Sequence, residues 1–445
     1  MTREYPNDMV FTLSTVFKGI PLRAWSGRKM QKTPEELYEE RTKRVLDVVQ
    51  LKVPDRVPFM PFFHFFHAKY GGITCQEAMY DYDKLAMVAK KTLMDFEPDM
   101  YNNPFALVAL GPILETLDCK YLTWPGGGLP PHQSYQFVEK EYVTAAEYDD
   151  LLFDPTGFML RQFLPRVYGA LEPLQQLPPL PSMYYTRFVT RTAAFASPEV
   201  AGALDALVKA GTEARRMLAK AKAFTDEMTT LGFPSQIGGV AYAPFDYIGD
   251  LLRGTRGIML DMYRIPDKLL EAMGKLIPFI LQGAIPAAKM TGIPFIFMPM
   301  HKGLDGFMSS DQFKTFFWPP LKRVILSLIQ EGLIPMVFWE GDCTSRLETI
   351  KDIPQGKAIY WFERTDIFKA KEILGDTVCI RGNVPGALLC VGSPGDVEAY
   401  CKRLIDVVGK GGGFILDGAI GIPDEAKPEN VKAMADTTKE YGVYR

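Results

Sequence analysis

Histidine and cysteine are scarce in this 445-residue chain, with four and six copies. The cysteines, at 75, 119, 343, 379, 390 and 401, form no CxxC pair. That excludes a dense disulfide framework and suits reduced intracellular thiols. Cationic excess is also missing: 50 Lys and Arg stand against 53 Asp and Glu. Neither nucleic acid nor an anionic membrane is therefore an expected partner. Apolar runs such as IPFIFMPM at 293–300 are far too short to span a bilayer. The first residues, MTREYPNDMVF, lack the basic start and apolar block of a signal peptide, so a cytoplasmic location is expected. Glycine-rich phosphate loops are missing too. GKGGG at 409–413 reads as a helix stop and strand start, and WPGGGLPP at 124–131 has no following Lys-Ser/Thr.

What remains is a chain 47% hydrophobic and 23% charged, with ample material for a core. Residues 1–33 read as irregular, and 34–50 carry helical spacing before KVPDRVP breaks the helix. An apolar run follows at 58–66, and the Pro-, Gly- and Tyr-rich stretch 120–195 reads as insertions. From about 235 the rhythm is regular. Apolar runs at 293–300, 334–339, 358–362, 378–382 and 413–417 alternate with helical stretches, one of which (309–330) should break at Pro319-Pro320. The stretch 393–409 carries a complete set of helix signals, with Ser393 as N-cap, Pro394 at the first position, Asp396 in a capping box and Gly409 at the stop. Repeated strand–helix alternation predicts an α/β fold, a (β/α)₈ TIM barrel. The expected layout is an N-terminal extension and helix at 1–50, then one barrel domain at 51–445 with insertions near its mouth.

Barrel chemistry sits at the carboxyl ends of the strands. Those ends hold His64 and His67 among phenylalanines, Asn102-Asn103, Tyr242 to Asp246, His301, Glu340, Glu363 with Asp366, Asn383 and Asp417. Spacings of 39, 43 and 34 residues separate His301, Glu340, Asn383 and Asp417, which suits successive βα units converging on one face. Each residue also has a plain structural reading. His64 and His67 suit core histidines, Asn383 a helix cap, and Asp417 a ligand of turn amides. Glu340 at the end of the buried run PMVFW is costly unless paired, with Arg346 or Arg381 as the structural partner. Phe65, Phe66, Trp339 and Trp361 fall at strand ends, where they could line a flat apolar pocket.

The segments FMSSDQFKTFFWPPLKRVI, IRGNVP, SPGDVEAYCKRLI, GGFIL and KPENVKAM, with the strand ending at Glu340, resemble the uroporphyrinogen decarboxylase superfamily over Ile293–Glu440. The resemblance implies a TIM barrel. It also implies either a heme-pathway decarboxylase or a corrinoid-dependent methyltransferase, a group that includes zinc thiol methyltransferases and O-demethylase enzymes. The decarboxylases' arginine-rich motif near strand one reads FFHFFHAKYGG here, and the aspartate after strand two is replaced by YNNP. A polycarboxylated porphyrinogen is therefore rejected as substrate. The zinc enzymes' His-x-Cys-Gly reads Phe338-Trp339-Glu340-Gly341, and DGAIGI lacks their second cysteine. Glu340 thus stands where those relatives place a metal-binding thiolate.

The resemblance implies an O-demethylase methyltransferase. It would move a methyl group from a small aryl methyl ether to the cobalt of a separate corrinoid protein, since no DxHxxG cobalamin motif is present. His301, Glu340 and Asp417 are the expected catalytic residues, with zinc, if bound, held by the same three. Phe65, Phe66, His64, His67, Asn103, Tyr242, Trp339, Trp361 and Asn383 are the expected substrate contacts. A homodimer is compatible with the resemblance. A cofactor-independent lyase acting on an aromatic acid, and a non-catalytic binding barrel, stay open as alternatives.

Overall fold

The computed structural model describes residues 32–444, so the irregular segment expected at 1–33 lies almost wholly outside the described residues. Strands Gly239–Val240, Phe295–Met300, Ile334–Trp339, Ile359–Phe362, Cys379–Arg381 and Phe414–Ile415 form one six-stranded parallel sheet in chain order. Helices between them cover its outer face, so strands such as Ile359–Phe362 are buried throughout. Two further extended segments close the sheet into a (β/α)₈ barrel. Residues 58–63 lie beside the eighth strand through Leu416 N to Pro58 O at 2.9 Å and Met60 N to Leu416 O at 3.2 Å. Residues 99–102 bridge the gap to the third strand, with Asp99 N to Phe59 O at 2.7 Å and Gln236 N to Tyr101 O at 2.8 Å.

The first strand cannot form a full ladder because Pro58 and Pro61 have no amide hydrogen. Side chains of neighbouring segments take over its remaining donors. Phe59 N donates to Asp99 at 2.7 Å, Phe62 N to Asp417 at 3.3 Å, Phe63 N to Asn102 at 2.9 Å and Phe65 N to Asp424 at 2.9 Å. Buried amides need partners, and here carboxylates and a carboxamide provide what a backbone ladder would otherwise give.

Helix Pro34–Val49 starts with the capping box of Thr33 and Glu36, and it closes the barrel floor. Val45, Val48 and Val49 pack against the lowest inward layer, which includes Met60, Met100, Phe295, Met336 and Ile359. Arg44 on the same helix reaches Asp99 at 2.6 Å, and Arg56 reaches it at 2.8 Å. Burial pushes the Asp99 carboxyl up, but the two guanidiniums and the Phe59 amide outweigh it and hold the pKa below the ordinary value.

Residues 309–330 form a continuous helical run rather than one broken at Pro319-Pro320. A π-helical stretch, Phe313–Phe317, directly precedes Trp318–Gln330, and this wider turn accommodates the two prolines, which have no amide hydrogen to give to the preceding turn. The stretch 110–197 holds a three-stranded sheet and short helices, followed by the helix Pro198–Thr230. One described helix, Pro266–Thr291, is long and apolar enough to cross a membrane. Its apolar face, with Leu269, Met273, Ile277 and Ile280, packs into the protein core.

Removing the Asp99 carboxylate leaves two buried or half-buried guanidiniums and one amide without their partner. Asp99→Ala should therefore lower stability by about 3–5 kcal/mol in urea denaturation. A loss below about 1 kcal/mol would mean that the arginines find other partners.

Candidate active site

Inward and outward residues alternate along each barrel strand. Phe297, Phe338 and Trp361 point into the barrel, where Phe338 and Trp361 stack at 3.9 Å between ring centres and Phe62 lies 5.4 Å from Phe297. The same phase brings His301, two inward steps beyond Phe297, and Glu340, one beyond Phe338, to the mouth. Their side chains are about two-fifths exposed, with His301 Nε2 3.4 Å from Glu340 Oε1.

The segment after strand three holds this pair in place. Asp246, at the end of the short helix Pro244–Asp246, accepts from the backbone amides of His301 at 2.9 Å and Lys302 at 3.0 Å. Four residues on, in the π-helical stretch Tyr247–Arg253, Asp250 binds His301 Nδ1 at 2.6 Å and Lys302 Nζ at 2.9 Å. Gly249 makes room for the lysine: a Cβ there would meet Lys302 Cε at 2.7 Å. Burial alone would lower the His301 pKa. Hydrogen bonds and charge from Asp250 and Glu340 overcome it and push the value up to about 11. Asp250 is held below its ordinary value, because His301 and Lys302 outweigh burial. Burial and the Asp250 charge push Asp246 up to about 7. At neutral pH, His301 is an imidazolium clamped between two carboxylates.

A cavity of about 350 Å³ opens beside His301. Its walls come from the stretch 121–168 and the π-helical stretch, and they are mainly apolar: Phe137, Tyr142, Phe163, Val167, Tyr247 and Leu251 are among them. Polar groups are few. Tyr121 and Tyr168 meet hydroxyl to hydroxyl at 3.0 Å, Tyr142 gives its hydroxyl to Val138 O, and Tyr247, Glu139, Asp250 and His301 are the other polar residues of the lining.

The other expected site residues are placed elsewhere. Asp417 is fully buried and pairs with Arg381 at 2.7 Å, while accepting from the amides of Gly418 and Phe62. It is thus part of the barrel wall and does not join His301 and Glu340. Phe65 and Phe66 belong to the core, where Phe66 stacks on Tyr70 and Phe63. Trp339 is on the outward phase against Phe313 and Phe317, so it cannot line the mouth. Trp361 is inward but roofed by Phe338, with its indole N–H on Gly418 O at 3.0 Å. Asn103 ties strand two to helix Pro198–Thr230 through Ala221 O and Thr225. Asn383 binds the carbonyls of Glu363 and Thr365, and Tyr242 stands half-exposed beside Tyr247. His64 pairs with Tyr135 at 3.1 Å, and His67 is buried against Phe63.

Neither arginine foreseen as a structural partner reaches Glu340, since Arg346 pairs with Asp305 and Arg381 with Asp417. Sequence reasoning passed over Asp250, Lys302, Tyr121 and Tyr168. The i, i+4 spacing of Asp246 and Asp250 after a strand end was the available signal. Zinc does not fit this donor set. His301 and Glu340 offer two donors at the mouth, and among the described residues no group of three or more His, Cys, Asp or Glu is disposed to hold a metal ion.

Opposite environments make the histidines a direct test. Burial pulls His64 down to about 4 and His67 to about 3, while the carboxylates raise His301. Nitrogen-15 spectra of histidine-labelled protein should show His301 as imidazolium up to at least about pH 9. His64 and His67 should stay neutral down to about pH 5. A His301 midpoint near 6.5 would contradict the clamp.

Comparison with known proteins agrees with this architecture. The uroporphyrinogen decarboxylase (URO-D) family model matches residues 200–441. A uroporphyrinogen decarboxylase from Chlorobium phaeovibrioides is 28% identical over 138 residues, which is 30% of this chain and 38% of that protein. One from Methylococcus capsulatus is 25% identical over 199 residues, 43% of this chain and 54% of that protein. The matched stretches thus span from about two-fifths to just over half the length of these relatives. Among solved structures, a methyltransferase from Methanosarcina mazei is similar in fold, with TM-score 0.58 and 15% identity over 92% of this chain and 99% of that chain. By the match of more than half its length, the chain belongs to the uroporphyrinogen decarboxylase family.

Proposed function

We propose that the protein is a methyltransferase of the O-demethylase type, which takes a methyl group from a small aryl methyl ether and passes it to the cobalt of a separate corrinoid protein. One observation carries this reading: a protonated His301 borders an apolar cavity of aromatic size. Its Nδ1–H is held at 2.6 Å by Asp250, whereas the Nε2 side meets Glu340 only at 3.4 Å. The second proton is therefore loosely engaged and ready for a ligand oxygen.

A reduced corrinoid on the partner would supply the nucleophile that accepts the methyl group. Breaking the methyl–oxygen bond leaves its electron pair on the phenolic oxygen, and His301 Nε2–H gives that oxygen its proton. Phenols ionise near 10, so an imidazolium at about 11 is matched to this leaving group. Asp250 and Glu340 keep the imidazole protonated and oriented, and the apolar walls exclude water from the developing phenolate. General acid catalysis of this kind contributes roughly 10²–10⁴-fold. The lyase alternative fits less well. A decarboxylase must hold a carboxylate, and among the described residues the one cation lining the cavity, His301, already faces two carboxylates, Asp250 and Glu340.

The test is methyl transfer measured with reduced corrinoid protein. His301→Ala should lose about 10²-fold or more in kcat while remaining folded. Glu340→Gln should also lose activity, and Asp250→Asn should move the alkaline limb of the pH profile to lower pH, because removing a carboxylate lowers the imidazolium pKa. Because the donor set does not hold zinc, a chelator should leave the rate unchanged. Wild-type rates for His301→Ala would overturn the assignment.

A further inference from the structure

We infer that the cavity selects an uncharged methoxyphenol over its carboxylated analogue, with the hydroxyl pair of Tyr121 and Tyr168 binding the substrate hydroxyl. This inference rests on the aryl-ether reading and names the substrate within it.

The charge pattern carries the first half. The ionised groups at the cavity are His301, Asp250 and Glu139, and Glu139 bonds the Thr255 amide at the rim. Lys302 lies behind them, spent on Asp250 at 2.9 Å and Thr255 at 3.1 Å. His301 already faces Asp250 and Glu340. A ring carboxylate entering this cavity would meet apolar walls and two cations, His301 and Lys302, already outnumbered by Asp250, Glu340 and Glu139. A buried unpaired charge is strongly disfavoured, and a like-charged rim adds to the penalty.

The hydroxyl pair carries the second half. Tyr121 and Tyr168 sit 3.0 Å apart, hydroxyl to hydroxyl, and together own two O–H protons, of which their mutual bond uses one. Burial pushes both phenols above their ordinary pKa, so they remain neutral donors. The free proton and the remaining lone pairs form a paired neutral donor and acceptor in a lining whose Tyr142 hydroxyl is already given to Val138 O. They suit a neutral hydroxyl, which both donates and accepts. A site built this way also rejects the analogue that lacks the hydroxyl, since the protein's own polar atoms are then left unmatched.

Calorimetric titration of the full chain at pH 7 with guaiacol, anisole and 4-hydroxy-3-methoxybenzoate tests both halves. Guaiacol should bind about tenfold tighter than anisole, and at least about tenfold tighter than the benzoate. In the double variant Tyr121→Phe/Tyr168→Phe, which keeps both rings, the guaiacol-to-anisole ratio should fall to about one. Thermal melting of the variant separates a folding defect from a lost contact. An unchanged ratio would overturn the role of the tyrosines, and benzoate binding as tight as guaiacol would overturn the charge argument. Absence of binding by all three would overturn the cavity as the substrate site. If the binding order holds but no variant or wild-type sample demethylates guaiacol with reduced corrinoid protein, the selectivity stands and the methyl-transfer reading falls.

Discussion

The barrel depends on how its first strand is held. Proline at 58 and 61 removes two donors from a segment that must sit between the eighth strand and the second. A ladder so interrupted would leave neighbouring amides unpaired inside the wall. Asp99, Asn102, Asp417 and Asp424 answer that deficit, each accepting from a different amide between Phe59 and Phe65. These acceptors in turn need charge balance, which Arg44 and Arg56 provide for Asp99, and Arg381 for Asp417. One backbone constraint thus decides where several of the chain's polar residues must go.

The consequence for function is a division among strand ends that look alike in sequence. On the side of strands one, two, seven and eight, polar residues complete the wall. Near strands three to five, polar residues are free to face the mouth. Asp246 fixes the His301 backbone, Asp250 fixes its ring, and Glu340 approaches from the next strand. The stretch 121–168 then supplies the aromatic walls beside His301, so the cavity lining and the charged pair come from different parts of the chain.

Fold class was legible from the alternation after residue 235, because a period-2 apolar run followed by a capped helix is a local property. The strand and helix positions from Phe295 to Glu440 follow the expected ones closely. The π-helical stretch before Pro319 was not legible, since it depends on how the helix meets the barrel. Trp339 shows a related difficulty. Trp339 ends a buried strand just as Phe338 nearly does, and only the pleat decides which of them enters the barrel.

The sequence by itself determined the barrel, the family, and His301 and Glu340 as neighbours at one face, because spacing of about one βα unit carries that information. Tertiary structure alone decided that Asp417 serves the wall and that Asp250, from a helix after strand three, serves the histidine. Both are carboxylates that follow barrel strands, Asp417 directly and Asp250 one short helix later. What separates them is which cation or amide lies within 3 Å, and that distance is set by strand pairing and helix packing across the whole chain.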